Sequence, residues 1–165
     1  MSGKEKSQTY SDRLKEFLRV LEEYSDKVGT NSIQYNDEVQ QILLFTTDDY
    51  KGLSSEDSYS YACVLEGYSL YLIKEYNRHK NILKWAERNL KYVISEHWYD
   101  YATGNYDHMD IIKNQIIKNS RPAQILNKII EKAEGMTIEL ENMSTTVGMY
   151  AGILKSMAES KRWKK

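Results

Sequence analysis

Gln124 to Met157 read QILNKIIEKAEGMTIELENMSTTVGMYAGILKSM, and the spacing of the apolar residues in this stretch decides the fold class. Leu126, Ile129, Ala133, Met136, Leu140, Met143, Val147, Tyr150, Leu154 and Met157 follow one another in alternating steps of three and four. A repeat of about 3.5 residues held over this length belongs to a helix that supercoils with others. The composition of the seam is irregular, with Ala133, the methionines and Tyr150 where a two-stranded zipper would carry Ile and Leu. Ile125, Ile130, Ile138, Met149 and Ile153 widen the apolar face, which favours a bundle or ring of helices. Self-association is therefore expected through Leu126, Ile129, Met136, Leu140, Met143, Val147, Tyr150, Leu154 and Met157. Packing of the same face on the chain's own long helix is the competing reading, and the two are compatible.

Outward from this helix, Asn119-Ser120-Arg121-Pro122 stops one element and starts the next, with Ser120 as N-cap and Pro122 in the first turn, where its missing N–H costs nothing. A short helix through Ile111, Ile112, Ile116 and Ile117 precedes it, after a turn at Ala102-Thr103-Gly104-Asn105. Before that turn an unbroken apolar pattern runs from Leu65 through Leu72, Tyr76, Leu83, Ala86, Leu90 and Val93 to near Trp98. It opens at Ser54, a capping residue followed by the acidic Glu56 and Asp57. Some 40 residues of helix span roughly 60 Å. Gly67 is a candidate site for a kink. Further back, Thr46 to Ser55 reads as a polar loop, Glu38 to Phe45 as a short amphipathic helix, and Tyr10, Leu14, Phe17, Leu21, Tyr24 and Val28 as one helical stripe ended by Gly29. A single proline and eight glycines in 165 residues are too few to punctuate an all-β chain. The expected fold is all-α: long helices with a C-terminal heptad-repeat helix forming a helical bundle or coiled-coil oligomer. Its expected organisation is an acidic helical arm over 1–54 and a helical body over 55–165, with a turn at 102–107, a break at 119–122 and an oligomerising helix at 123–160, all treated as one folding unit.

The net charge of −1 conceals an asymmetry. Residues 1–66 hold 7 Lys/Arg against 13 Asp/Glu, net −6, and residues 67–165 hold 16 against 11, net +5. The basic body suits an anionic partner. A lone cysteine, Cys63, in an apolar helical stretch reads as packing and fits a reducing cytoplasm. Neither the N-terminus nor any internal run approaches the roughly 18 apolar residues of a membrane span, so no membrane partner and a cytoplasmic location are expected.

Chemistry at a catalytic centre needs a phosphate-cradling loop, a ligand set or a nucleophile with its base. The scattered His79, His97 and His108 supply none of these, so no catalytic residue, metal or cofactor is assigned, and no enzymatic activity is expected. The distinctive feature is fourteen tyrosines against two phenylalanines. Arg78, Lys80, Lys84, Arg88 and Lys91 lead into Tyr92, Trp98, Tyr99 and Tyr101, and a second basic group at Lys161, Arg162 and Lys164 flanks Trp163. Cations interleaved with ring faces suit single-stranded DNA, in which phosphates take the charge and unstacked bases take the rings. The alternative role for the tyrosines is to fill helix interfaces with their hydroxyls at the rim.

Trp98-Tyr99-Asp100-Tyr101-Ala102-Thr103-Gly104, then a helix break, a long heptad helix and the basic end Arg162-Trp163-Lys164 together resemble the phage recombination mediator proteins of the UvsY type, over roughly residues 74–165. The resemblance implies a helical homo-oligomer that binds single-stranded DNA, contacts a recombinase and a single-strand-binding protein, and helps the first replace the second. The family carries a basic pair just ahead of its Tyr-and-Gly segment, where Glu96 and Trp98 stand here. Lys84, Arg88 and Lys91, one to three turns earlier, are the cations left to do that work. The expectation is a non-enzymatic accessory factor of phage DNA recombination acting in the host cytoplasm. The alternative is a helical homo-oligomeric scaffold or adaptor for virion assembly or packaging without nucleic-acid binding.

Overall fold

The computed structural model describes residues 2–27, 33–34, 36–102 and 108–162, with side chains from Lys15 onward. Among these residues there is no strand, and the helices are α1 (Ser2–Lys27), α2 (Asp37–Leu43), α3 (Thr47–Gly52), α4 (Ser55–Tyr101), α5 (Met109–Asn119) and α6 (Arg121–Arg162). The chain is all-α, with a 42-residue C-terminal helix. It divides into two compact units, residues 32–79 with 136–165 and residues 1–31 with 80–135, so α4 and α6 each contribute to both.

Local chemistry accounts for the helix starts. The Asn36 side chain accepts the N–H groups of Glu38 and Val39 at 3.0 and 3.3 Å and starts α2. Thr46 and Asp49 form a reciprocal capping box: the Thr46 hydroxyl accepts the Asp49 N–H, and the Asp49 carboxylate accepts the Thr46 N–H at 2.8 Å. The span read as a loop from Thr46 to Ser55 thus contains a short helix, because this box satisfies the orphan donors of the first turn. The Thr46 hydroxyl also donates to the Asp49 carboxylate at 2.6 Å, and this bond, together with the one from the Thr46 N–H, holds the Asp49 carboxyl below its ordinary range. Ser54 and Asp57 repeat the arrangement at the start of α4, with the Asp57 N–H donating to the Ser54 hydroxyl at 3.0 Å. Helix α4 then runs 47 residues, passing through Gly67 without a break. At the other expected boundary, Ser120 has an extended backbone and ends α5, and Pro122 lies in the first turn of α6. The Gln124 N–H donates to the Ser120 carbonyl at 3.0 Å. The turn assigned to 102–107 and the helix end assigned to Gly29 fall largely outside the described residues.

In the unit of residues 32–79 and 136–165, α4 and α6 run antiparallel. The Ser55 hydroxyl donates to the Ala158 carbonyl at 2.8 Å, and the Ser69 hydroxyl donates to the Ser144 carbonyl at 3.2 Å. Between them Leu65, Leu72, Leu140, Val147 and Leu154 are buried, with Val39 and Ile42 of α2 closing one flank. Each such side chain contributes about 1.5–3 kcal/mol by leaving water. Here the tyrosines pack. Tyr61 meets the Phe45 ring edge-on at 5.5 Å, Tyr68 and Tyr71 stack at 5.7 Å, and the hydroxyls of those last two bond to the Gln34 backbone at 3.2 Å.

Of the two readings of the heptad seam, the structure shows the packing on the chain's own long helix. Leu140, Val147 and Leu154 are buried, and Met136, Met143 and Tyr150 pack partly against the same core. Met157 is half-buried. Leu126 and Ile129 are buried in the core of the other unit. The chain therefore covers this edge by itself, because α4 supplies a long antiparallel apolar face of matching period. Ile138, Met149 and Ile153, read as a widening of the seam, are the ones left exposed.

In the unit of residues 1–31 and 80–135, Leu21, Ala86, Leu90, Ala123, Ile125, Leu126, Ile129 and Ala133 form the core. Arg121 bonds to Glu22 with its Nε at 3.0 Å, and the Lys132 ammonium donates to the Ser25 carbonyl at 2.7 Å. The α1 stripe is rotated from expectation. Leu21 and Ser25 are buried and Leu18 half-buried, whereas Phe17 is exposed and Tyr24 packs edge-on against Trp85 with ring centroids 6.0 Å apart. The side chains of Tyr10 and Leu14, and Val28 altogether, lie outside the described residues. Cys63 is exposed on α4, contrary to its reading as a packing residue.

His79 is buried to 3% exposure, and its Nδ1 has no hydrogen-bond partner among the described residues. Burial pushes its imidazole below the ordinary 6.5; Glu75 on the same helix opposes that shift and Arg78 reinforces it. A lowered folded-state value means that the unfolded chain binds more protons between the two values, so stability rises with pH across that window. Stability from neutral His79 is complete above about 6.5 and is lost as pH falls through the folded value. Urea midpoints measured between pH 7.5 and 5 are expected to fall, and His79→Gln is expected to flatten that fall.

Candidate nucleic-acid interface

Lys80, Lys84, Arg88, Lys91, Ser95 and Trp98 recur along α4 in steps of four and three, and therefore lie along one side of the helix. All four cations are exposed. Among the described residues Lys84, Arg88 and Lys91 form no ion pair, so their charge is directed to solvent. Glu87 borders the row and offsets part of it. Helix geometry is what keeps the row together: from Lys84 to Lys91 the axis rises only about 10 Å.

The row ends in a groove of about 590 Å³ between the last turns of α4 and the start of α5. Lys91, Ile94, Ser95, Trp98 and Tyr99 line it from α4, and Met109, Asp110 and Lys113 from α5. Trp98 is half-buried and so held in place, whereas Tyr99 is 88% exposed and Tyr92, about two turns earlier on α4, is exposed as well. Burial of Ile112 and Ile116 fixes the rotation of α5. That rotation sets Lys113 on the wall facing Lys91, and among the described residues Lys113 too has no ion pair. Ring faces, apolar contacts from Ile94 and Met109, and a cation on each wall, partly offset by the Asp110 carboxylate, form a surface on which a base can stack while its phosphates are neutralised.

The remaining candidate residues fall elsewhere. Arg78 lies on another side of α4 and bridges Glu75 at 3.4 Å. Tyr101 is half-buried at the end of α4. Lys161 belongs to the unit of residues 32–79 and 136–165, where its ammonium donates to the carbonyls of Tyr50, Lys51 and Leu53. It satisfies orphan carbonyls at the end of α3, a cation's ordinary place at a helix C-terminus. Arg162 is exposed at the end of α6, and Lys164 lies outside the described residues. His97 bonds to Asp100 at 3.2 Å. The α5 residues Met109, Asp110 and Lys113 were missed by the sequence reading; the i, i+4 pair Ile112 and Ile116, which fixes the buried side of α5, is the signal that could have found them.

No helix among the described residues is long and apolar enough to cross a membrane. In comparisons with known proteins, no family model, no curated protein and no solved structure matches the chain.

Proposed function

We propose that the protein is a non-enzymatic accessory factor of phage DNA recombination, which binds single-stranded DNA and helps load a recombinase in place of a single-strand-binding protein. The observation that carries the DNA-binding part is the row of unpaired cations Lys84, Arg88 and Lys91 running into the Trp98 and Tyr99 groove, with Lys113 across it. The recombination role rests on the resemblance over roughly residues 74–165. Phosphates neutralised by four cations make binding independent of sequence and steeply dependent on salt. Each single-strand contact contributes about 0.7 to the log–log salt slope, so a slope near −3 is expected.

Fluorescence anisotropy of a labelled oligo(dT) titrated at several salt concentrations tests this reading, and absence of binding at about 50 mM salt would remove it. Trp98→Ala is expected to weaken binding roughly tenfold, the loss of one stacked base, while leaving the salt slope unchanged because the ring carries no charge. A change of slope in that variant would mean that Trp98 positions the cations instead of stacking. Recombinase loading is tested separately, by adding the protein to strand exchange on DNA already covered by a single-strand-binding protein.

A further inference from the structure

The groove between α4 and α5 holds one charged group that phosphate binding does not use. Asp110 sets a carboxylate in its lining, together with Trp98, Tyr99 and the facing cations Lys91 and Lys113. A carboxylate repels a phosphate, so in this position it works against the cations around it. An acid in the first turn of α5 opposes the helix dipole, which accounts for part of its placement. That role leaves its acceptor sites open. Lys113 stands three residues further along α5, yet among the described residues the Asp110 carboxylate forms neither an ion pair nor a hydrogen bond. Ser95, on the α4 wall, is the second open polar group. Ser58, Ser144 and Thr145 donate their hydroxyls to carbonyls one turn back in the chain. The Ser95 hydroxyl makes no such bond among the described residues and is free to serve the groove.

A carboxylate needs a donor, and within a DNA strand, which lacks the ribose 2′-hydroxyl, the base edges carry the only ones. Cytosine and adenine present an amino group with a ring-nitrogen acceptor beside it, and guanine presents N1–H and its amino group side by side. Thymine carries its one donor, N3–H, between two carbonyl oxygens that a carboxylate repels. We infer, resting on the single-stranded DNA reading above, that Asp110 makes the groove selective for a base with an exocyclic amino group over thymine. Its carboxylate accepts the amino N–H, and the Ser95 hydroxyl donates to the acceptor beside that amino group. The phosphate contacts along Lys84, Arg88 and Lys91 carry no sequence information, so the selectivity is confined to the base in the groove. One hydrogen bond to a charged acceptor, set against carbonyl repulsion for thymine, is expected to discriminate roughly tenfold.

Anisotropy titrations with oligo(dC) and oligo(dT) of equal length, at a mildly alkaline pH where oligo(dC) stays single-stranded, test the inference. Oligo(dC) is expected to bind roughly tenfold more tightly, with the same log–log salt slope as oligo(dT) because the two strands carry the same phosphates. Equal affinities overturn the selectivity and leave DNA binding standing. Absence of binding by either strand at low salt overturns the DNA reading itself, and the inference with it. In Asp110→Asn the amide both donates and accepts, so the gap between the strands is expected to close to within about twofold. Oligo(dT) is expected to bind that variant as tightly as before or more tightly, since one repulsive charge is gone. Both strands are titrated against the same variant, so any change in its stability cancels in their ratio. A preference for oligo(dC) that survives in Asp110→Asn overturns the assignment to Asp110 and leaves stacking on Trp98 as its source.

Discussion

Replacing Lys84, Arg88 and Lys91 together by Glu is expected to lower affinity for oligo(dT) at least ~100-fold at low salt, because three phosphate contacts turn from attraction to repulsion. The alanine triple is expected to weaken binding less and to lower the log–log salt slope by about 2, the share of three neutralised phosphates. All three side chains are exposed, so neither variant is expected to shift the thermal melt by more than the small change that surface substitutions bring. Anisotropy titrations at several salt concentrations check both outcomes. Affinity retained within about threefold in the Glu triple would move the contact away from α4 and leave the scaffold reading in its place.

Leu140→Asp is expected to abolish the cooperative melt of the unit that contains it, whereas Ile138→Asp, two residues away, is expected to leave that melt in place. Leu140 is fully buried between α4 and α6, and Ile138 is 57% exposed. Loss of the leucine costs about 2–5 kcal/mol through the transfer and cavity terms together. A carboxylate in its place is either ionised without a partner or protonated at further cost. Total stabilities are about 5–15 kcal/mol, so one such change suffices. The exposed substitution is expected to stay within about 0.5 kcal/mol. Far-UV circular dichroism on heating distinguishes the two variants. A Leu140→Asp protein that stays folded but loses mass in light scattering would show that another molecule, and not α4, closes the seam.

That contrast also marks how far the sequence could be read. Period told which side of α6 is apolar, and capping chemistry told where α4 and α6 begin, since Ser54 and Pro122 act within a few residues of themselves. Period is silent about the covering partner, because an internal antiparallel helix and a second chain ask the same of Leu140 and Val147. The rotation of α1 was misread because period alone groups Phe17 and Tyr24 with Leu21, whereas Tyr24 sits at an edge against Trp85, Phe17 is left 54% exposed, and the small polar Ser25 is buried instead. Thr46 and Asp49 looked like loop residues for the same reason that they cap well: their side chains compete for backbone N–H groups. On the nucleic-acid side, the α4 row was legible because one helix carries it. The opposite wall was not, since Lys113 reaches the groove through the packing of Ile112 and Ile116.

Lys161 was read from composition, as one of a basic group for an anion. A basic cluster near a chain's end suggests an anion, but only the fold shows that its ammonium is engaged by the carbonyls after Tyr50. Tyrosine divides by location in a similar way. Tyr61, Tyr68 and Tyr71 serve packing, whereas Tyr92 and Tyr99 stay open beside the cations.

The antiparallel pairing of Ser55 with Ala158 joins positions 103 residues apart. Such distant partners meet only after the intervening residues have been made, so Leu65 and Leu72 wait, uncovered, for seconds at typical synthesis rates of about 5–20 residues per second. Until then the apolar side of α4 is the part of the nascent chain that a holding chaperone would recognise.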